Sequence, residues 1–174
     1  KISIKSPATI ANLVCGFDIL GLALEEPYDI MTLENTDHAG LEIVHVDDHG
    51  LPTEPEQNVS GAALLAMMEE MNEVPKWKLT IDKRIKPGSG LGSSAASAAG
   101  AVFAANQLLG NPFCNEDLIR FAMFGEKVAS GVKHADNITP CLLGGVTLIR
   151  SIHPLDIIPL SAPELFITVV HPQI

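Results

Sequence analysis

The sequence predicts an α+β fold, a mixed sheet packed with helices. Its first half is rich in strand-like runs, helical stretches follow at irregular intervals, and one glycine-rich junction at residues 87–96 leads from a strand into an alanine-laden helix. Ile2 and Ile4 alternate with polar residues and open a first strand. Residues 6–16 carry Pro7, Asn12 and Gly16 and are expected to form a loop. Residues 17–24 and 28–34 read as two strands joined at Glu25-Glu26-Pro27, and Leu41, Ile43, Val44 and Val46 as another. The acidic stretch 47–57, with Gly50, Pro52 and Pro55, is expected to be a loop.

Asn58 is placed to cap a helix ending near Asn72, where Ala62, Leu65, Ala66 and Met68 or Glu69 follow helical spacing only in part. Trp77, Leu79, Ile81 and Ile85 mark one face of the next strand, with Lys83 on that same face. The helix over residues 94–109 holds so many alanines that close packing, and hence burial, is implied. Asn115-Glu116-Asp117 starts a third helix, Leu118, Phe121, Ala122, Gly125 and Val128 supply its apolar stripe, and Gly131 ends it. Residues 133–137 are expected to form a loop, 146–150 a strand, and 164–170 a last strand.

Composition narrows the functional classes. Apolar residues make up 47% and charged residues 18% of the 174, a globular balance. The formal charge of −10 argues against nucleic acid as a partner, because phosphate backbones need clustered lysine and arginine. No apolar run is long enough for a membrane span. Three cysteines, Cys15, Cys114 and Cys141, suit neither a disulfide framework nor a zinc site, so a cytoplasmic setting is expected, with Cys15 a buried, inert thiol. His45 and His49 lie four apart, but on strand and loop, which does not suit a zinc pair.

Pro87-Gly88-Ser89-Gly90-Leu91-Gly92-Ser93-Ser94 carries the strongest chemical signal. It lacks the Gly-Lys-Ser/Thr of a Walker loop and the spacing of a dinucleotide fingerprint. Its glycines still allow a tight turn and close approach to a ligand, and the helix that follows offers unpaired N–H groups and a partial positive charge. A phosphate-bearing ligand is the expectation, against a bare strand-to-helix turn. Glu126 shares a helix face with Ile119, Ala122 and Met123, which suits either a Mg²⁺ ligand or an edge glutamate that reaches solvent or pairs with Lys127 or Lys133. Lys83 either reaches a nucleotide or snorkels. His134, Asp136 and Asn137 either grip a polar substrate or build a turn, and the same pair of readings holds for Asn12 and Asp18.

The loop P-G-S-G-L-G-S-S-A-A resembles the phosphate-binding motif of the GHMP kinases. Within that superfamily, S-P-A-T-I-A-N-L-V-C-G-F-D-I-L-G-L-A-L, P-E-Q-N-V and G-V-K-H-A-D-N-I-T-P-C-L-L-G-G are similar to motifs of the homoserine kinase family, in order along the chain. The resemblance implies a GHMP kinase N-terminal domain with the ribosomal protein S5 domain 2-like fold, and ATP-dependent phosphorylation of the L-homoserine hydroxyl with Mg²⁺, on the route to threonine. By the same resemblance residues 87–94 wrap the ATP phosphates, Ser94 and Glu126 hold Mg²⁺, and Asn58, Val59 and Lys83 lie near the adenosine. Asn12, Asp18, His134 and Asn137 hold homoserine, Asp18 being suited to its ammonium group. Asp136 and Asn137 occupy the place where related kinases put a base, and positioning rather than base catalysis is expected. Another GHMP kinase acting on a different alcohol such as mevalonate, or a non-catalytic nucleotide-binding domain, are the alternatives. The family's third glycine-rich motif, and the arginine that meets the substrate carboxylate, are absent. Residues 1–174 are therefore expected to be the N-terminal part of a longer enzyme, with a second domain starting near 160–174 and weak nucleotide binding in isolation. The sequence leaves the oligomeric state open, a homodimer included.

Overall fold

The computed structural model describes residues 1–13 and 15–170. Among these residues a single sheet of six strands carries three long helices on one face. The strands are β1 (Ile2–Leu13), β2 (Gly16–Asn35), β3 (Gly40–His45), β4 (Lys76–Asp82), β5 (Val146–Ile152) and β6 (Leu155–Leu160). The helices are α1 (Val59–Met71), α2 (Ser93–Leu108), α3 (Asn115–Ser130) and the short α4 (Ile138–Leu143). The sheet runs β3-β4-β2-β5-β6, with β1 paired to β2 along its other edge. Among the described residues only β3 and β4 run parallel. The α+β expectation holds.

Strand β2 organises the sheet. Its 20 residues are long enough to pair β5 through Leu20–Leu22 and β4 through Ile30–Asn35, while β1 follows its opposite edge. The sequence reading of two strands broken at Glu25-Glu26-Pro27 is corrected here: the register with β1 shifts between Pro7 and Thr9, so the proline region is a bulge within one bent strand. The expected loop at 6–16 is likewise mostly strand. Pro7 is tolerated beside that bulge, and Asn12 takes a left-handed conformation (φ 57°) close to the β1–β2 turn.

The core lies between sheet and helices. Met31 and Leu33 of β2 and Trp77, Leu79 and Ile81 of β4 meet Ala98, Ala101, Val102 and Ala105 of α2. The alanine-rich helix is buried as its composition requires, and α1 and α3 flank it. In α1 the buried face is Ala63, Leu64, Met67 and Met68, one residue round from the stripe expected from spacing, because an almost uniformly apolar helix has no pattern to reveal its inner side. Asn58 caps α1 as expected, accepting from the Ser60 and Gly61 N–H groups at 2.8 and 3.2 Å, and Asn72 ends it in a left-handed conformation. Gly131 ends α3 with φ 79°.

Three features depart from the sequence reading at the C-terminal side. The short α4 follows Asn137, a segment too brief for periodicity to declare. β6 forms although it contains Pro159, because it is an edge strand and the missing N–H interrupts no inner ladder. The expected strand at 164–170 is not one; those residues are exposed and pair with no strand. An alternating apolar run becomes a strand only where an edge is offered to it. Cys15 is exposed, not buried, since it sits at the turn between β1 and β2; the burial pushes the Cys141 thiol up to about 12 instead. Residues 14 and 171–174, which include Val14 of the first motif, lie outside the described residues.

Gly125 lets α3 pack against the start of α1: a Cβ there would lie 2.3 Å from the Val59 carbonyl oxygen. Helix propensity alone favours alanine by about 1 kcal/mol, but the obstacle is backbone, which cannot swing aside. Gly125→Ala is therefore expected to lower unfolding stability by about 1–3 kcal/mol in urea titration. A gain would show that α1 and α3 separate freely.

Candidate active site

The glycine-rich loop crosses from the end of β4 to α2. Gly88, Gly90 and Gly92 have φ of 75°, 77° and 63°, a left-handed region that other residues reach only at a cost. Gly88 and Gly90 face open space, so conformation alone demands glycine there. Gly92 is demanded twice: a Cβ would fall 2.0 Å from Thr9 Oγ1 and 2.9 Å from Asn137 Oδ1. Thr9 stitches the three segments together. Its N–H donates to the Leu91 carbonyl at 3.1 Å, and its hydroxyl donates to Asn137 Oδ1 at 2.8 Å.

Gly92 is also the N-cap of α2 and offers no side chain to its first-turn N–H groups. These groups have no intrahelical acceptor, so a helix of 16 residues presents bare donors and a partial positive charge to the cleft beside the loop. The cleft encloses about 440 Å³. Leu51, Pro52, Val59, Ile81 and Val128 give it apolar walls, and Gly88, Gly90, Ser93 and Ser94 form its polar end. Such a division suits a ligand with a flat apolar part and an anionic tail.

Ser94 stands in the first turn of α2 and donates to Glu126 Oε1 of α3 at 3.2 Å. Glu126 Oε2 is buried with no partner. Burial raises the Glu126 carboxyl above its usual value and the nearby Asp136 adds to the rise, against the Ser94 bond and the neighbouring His134. A cation between Ser94 and Glu126 would give the orphaned oxygen its missing partner. Among the described residues no group of three or more His, Cys, Asp and Glu side chains is arranged to hold a metal. A hard ion here would take its remaining ligands from phosphate oxygens and water, as Mg²⁺ commonly does. The alternative pairing of Glu126 with Lys127 or Lys133 does not form; Lys133 lies over the Phe124 ring instead.

The remaining expected residues fall into two groups. Asn58, Val59 and Lys83 line the cleft, but the polar atoms of two of them are already engaged. The Asn58 amide donates to the Pro52 carbonyl at 2.6 Å and lies 3.2 Å from His45 Nε2, while its oxygen caps α1. Lys83 is buried and forms an ion pair with Asp29. Asn12, Asp18, His134, Asp136 and Asn137 form the second group: Asn137 meets Gly92, and Asp136 lies near Asp18 and His134. Asn12 Oδ1 accepts from the Asp18 N–H at 2.9 Å, which ties the tip of the β1–β2 turn. Gly21 of β2 lets the Asp136 backbone approach, since a Cβ would sit 1.9 Å from the Asp136 carbonyl oxygen. Asp136 is buried, its Oδ1 accepts from the Asn137 N–H at 3.0 Å, and burial together with the nearby Asp18 raises its carboxyl. His134 is exposed.

Two residues of this region escaped the sequence reading. Thr9 and Asp29 are wholly buried polar groups on strands. The Asp29 signal was available: it falls in phase with Met31 and Leu33, the inward positions of β2. Thr9 gives no comparable signal, because its role arises where three distant segments meet.

The description of the GHMP kinases N-terminal domain matches residues 58–145, which include the glycine-rich loop, Ser94, Glu126 and Asn137. The chain is similar to the homoserine kinase of Chloroherpeton thalassium (40% identity over 97% of this chain and 57% of that protein). It is equally similar to the homoserine kinase of Methanococcus vannielii (40% over 100% of this chain and 58% of that protein). It thus spans little more than half the length of these curated relatives. The crystal structure of homoserine kinase from Cytophaga hutchinsonii superposes with a TM-score of 0.87 at 44% identity, covering 93% of this chain and 52% of that one. The mevalonate kinase of Methanococcus jannaschii shares the fold, with a TM-score of 0.72 at 15% identity over 92% of this chain and 56% of that one.

A raised carboxyl has a definite consequence for stability. The folded protein keeps the Glu126 proton to higher pH than the unfolded chain, so stability is full below about pH 4.5, the group's ordinary value, and falls as pH rises through the raised one. Glu126→Gln is expected to raise the stability of the ligand-free protein by about 1 kcal/mol at pH 7.5 and to give no gain near pH 4. Denaturant titration at both pH values checks it, and an equal gain at both would place the effect elsewhere than in ionisation.

Proposed function

From the premise that this chain belongs to the GHMP kinases, we propose that it forms the nucleotide-binding part of an ATP-dependent kinase that phosphorylates the side-chain hydroxyl of L-homoserine. The observation that carries the reading is the Ser94–Glu126 pair, with its unpartnered buried oxygen, set against the uncapped start of α2 and the glycine-rich loop. Relatives named homoserine kinase at 40–44% identity across nearly the whole chain support homoserine as the substrate class.

In this reading the backbone N–H groups of residues 88–94 bind the ATP phosphates, and the apolar cleft between Val59 and Val128 takes the adenosine. Ser94 and Glu126 would hold Mg²⁺, which supplies charge neutralisation for the transferred phosphoryl group. Homoserine lies on the far side of Gly92, with its ammonium group toward Asp18 and its hydroxyl toward the Asn137 region. Thr9 fixes the Asn137 amide oxygen, and hence its NH₂ group is free to donate to the substrate. Phosphoryl transfer has a loose transition state, so alignment and charge compensation supply most of the rate. Asp136 serves to orient the 134–137 segment through the Asn137 N–H rather than as a base. No helix among the described residues is long and apolar enough to cross a membrane, and the three free cysteines support a cytoplasmic enzyme.

ADP release by the intact protein, measured with homoserine, mevalonate and other small alcohols, tests the substrate. Homoserine should be preferred by at least about tenfold in kcat/KM. Glu126→Ala should reduce kcat by about 10²-fold or more, and Asp136→Asn by clearly less. Equal, near-total losses would assign Asp136 to base catalysis.

A further inference from the structure

We infer that Asp29 and Lys83 form a buried clamp that fixes both ends of the glycine-rich loop, so that they position the phosphate-binding amides and do not themselves hydrogen-bond the nucleotide. The inference rests on the nucleotide reading above for its functional meaning, and on the geometry alone for its structural meaning.

The pairing register carries the two residues together. Leu33 faces Leu79 and Met31 faces Ile81, and the next step on the same inward side sets Asp29 against Lys83. Both side chains are almost completely buried. Asp29 holds the incoming end of the loop: its Oδ1 accepts from the Arg84 and Ile85 N–H groups, each at 2.8 Å, and its Oδ2 accepts from Lys83. Lys83 holds the outgoing end: its ammonium donates to the Ser93 carbonyl at 2.6 Å and to Ser97 Oγ at 2.8 Å. The Ser93 hydroxyl then closes the ring by donating to the Ile85 carbonyl at 2.9 Å.

An ammonium group has three donors, and all three are taken. A nucleotide contact would require Lys83 to give up Asp29, Ser93 or Ser97. A buried ion pair is a weak source of stability compared with an apolar pair of similar size. Its value here is directional. It ties the backbone on both sides of a loop whose own fastenings are sparse: within residues 86–92 only the Ser89 N–H to the Lys86 carbonyl, at 3.2 Å, and the long Leu91 N–H contact to Ser89 Oγ, at 3.4 Å, hold the turn. Binding a phosphate on backbone amides demands that those amides already converge, so the fixed ends reduce the ordering cost of binding.

The test uses Asp29→Asn/Lys83→Met, which leaves no unpaired buried charge. Mg-ADP and adenosine affinities are measured by calorimetry, and amide hydrogen exchange is followed without ligand. Mg-ADP affinity should fall about tenfold while adenosine affinity stays within about twofold, because only the phosphate end is loosened. Exchange should quicken about tenfold at Ser89, Leu91 and Thr9, whose amides hydrogen-bond within or onto the loop, and stay unchanged in α1 and α3. Adenosine affinity falling as far as that of Mg-ADP would overturn the inference in favour of direct contact by Lys83. Unchanged exchange at the loop would overturn it outright. Failure of the unsubstituted protein to bind millimolar Mg-ADP would instead sink the nucleotide reading, and the exchange result would still decide the clamp. Should the double variant not fold, Ser97→Ala removes one acceptor of the three; quickened exchange confined to the loop supports the clamp, and none refutes it.

Discussion

A buried aspartate and a buried lysine, facing each other across two antiparallel strands, set the geometry on which the candidate site depends. Each charge alone would be costly in the core, and each is compensated by the other and by hydrogen bonds to backbone or hydroxyl groups. The result joins the middle of β2, the end of β4 and the first turn of α2 at one point. The sheet and the helix layer are held elsewhere by non-directional apolar packing, which fixes distance more strongly than orientation. At the loop the orientation of individual N–H groups matters, and there the contacts are polar and directional.

Gly92 plays the complementary role at the loop's junction with α2. The absence of a side chain lets Thr9 of β1 and Asn137, ahead of α4, meet against the start of α2. The loop that lines the cleft and the Asn137 end of the 134–137 segment thus meet at one glycine. On the kinase reading proposed above, donor and acceptor must meet in line, and one shared backbone contact holds the two regions in register. Glu126 shows the cost of such a site. It carries a half-paired carboxylate in a low-dielectric setting, raised above its usual value, and the ligand-free fold bears that cost.

Much of this organisation was legible in the chain. The α1 cap at Asn58, the buried alanine helix, the end of α3 at Gly131 and the loop at 87–92 follow from local chemistry: a side-chain acceptor before a helix, small residues that pack closely, glycine where φ is positive. Features that depend on a partner were harder to read. Pro27 signals a break, but whether the break is a turn or a bulge depends on what β1 does alongside it. Residues 164–170 have the alternation of a strand and no edge to join, while β6 has two awkward residues, Asp156 and Pro159, and an edge that accepts it.

Local sequence therefore determined the kind of site, because the conformational demands of glycine and the orphaned donors of a helix start are properties of a few consecutive residues. It also determined the family, whose motifs stand in order along the chain. Tertiary structure decided which polar groups remain available. Lys83 and Asn58 reached the cleft with their donors already committed, and Glu126 reached its Ser94 wall with an oxygen to spare. Hydrogen-bond capacity is consumed by neighbours distant in sequence, so it is settled only when the strands and helices have met.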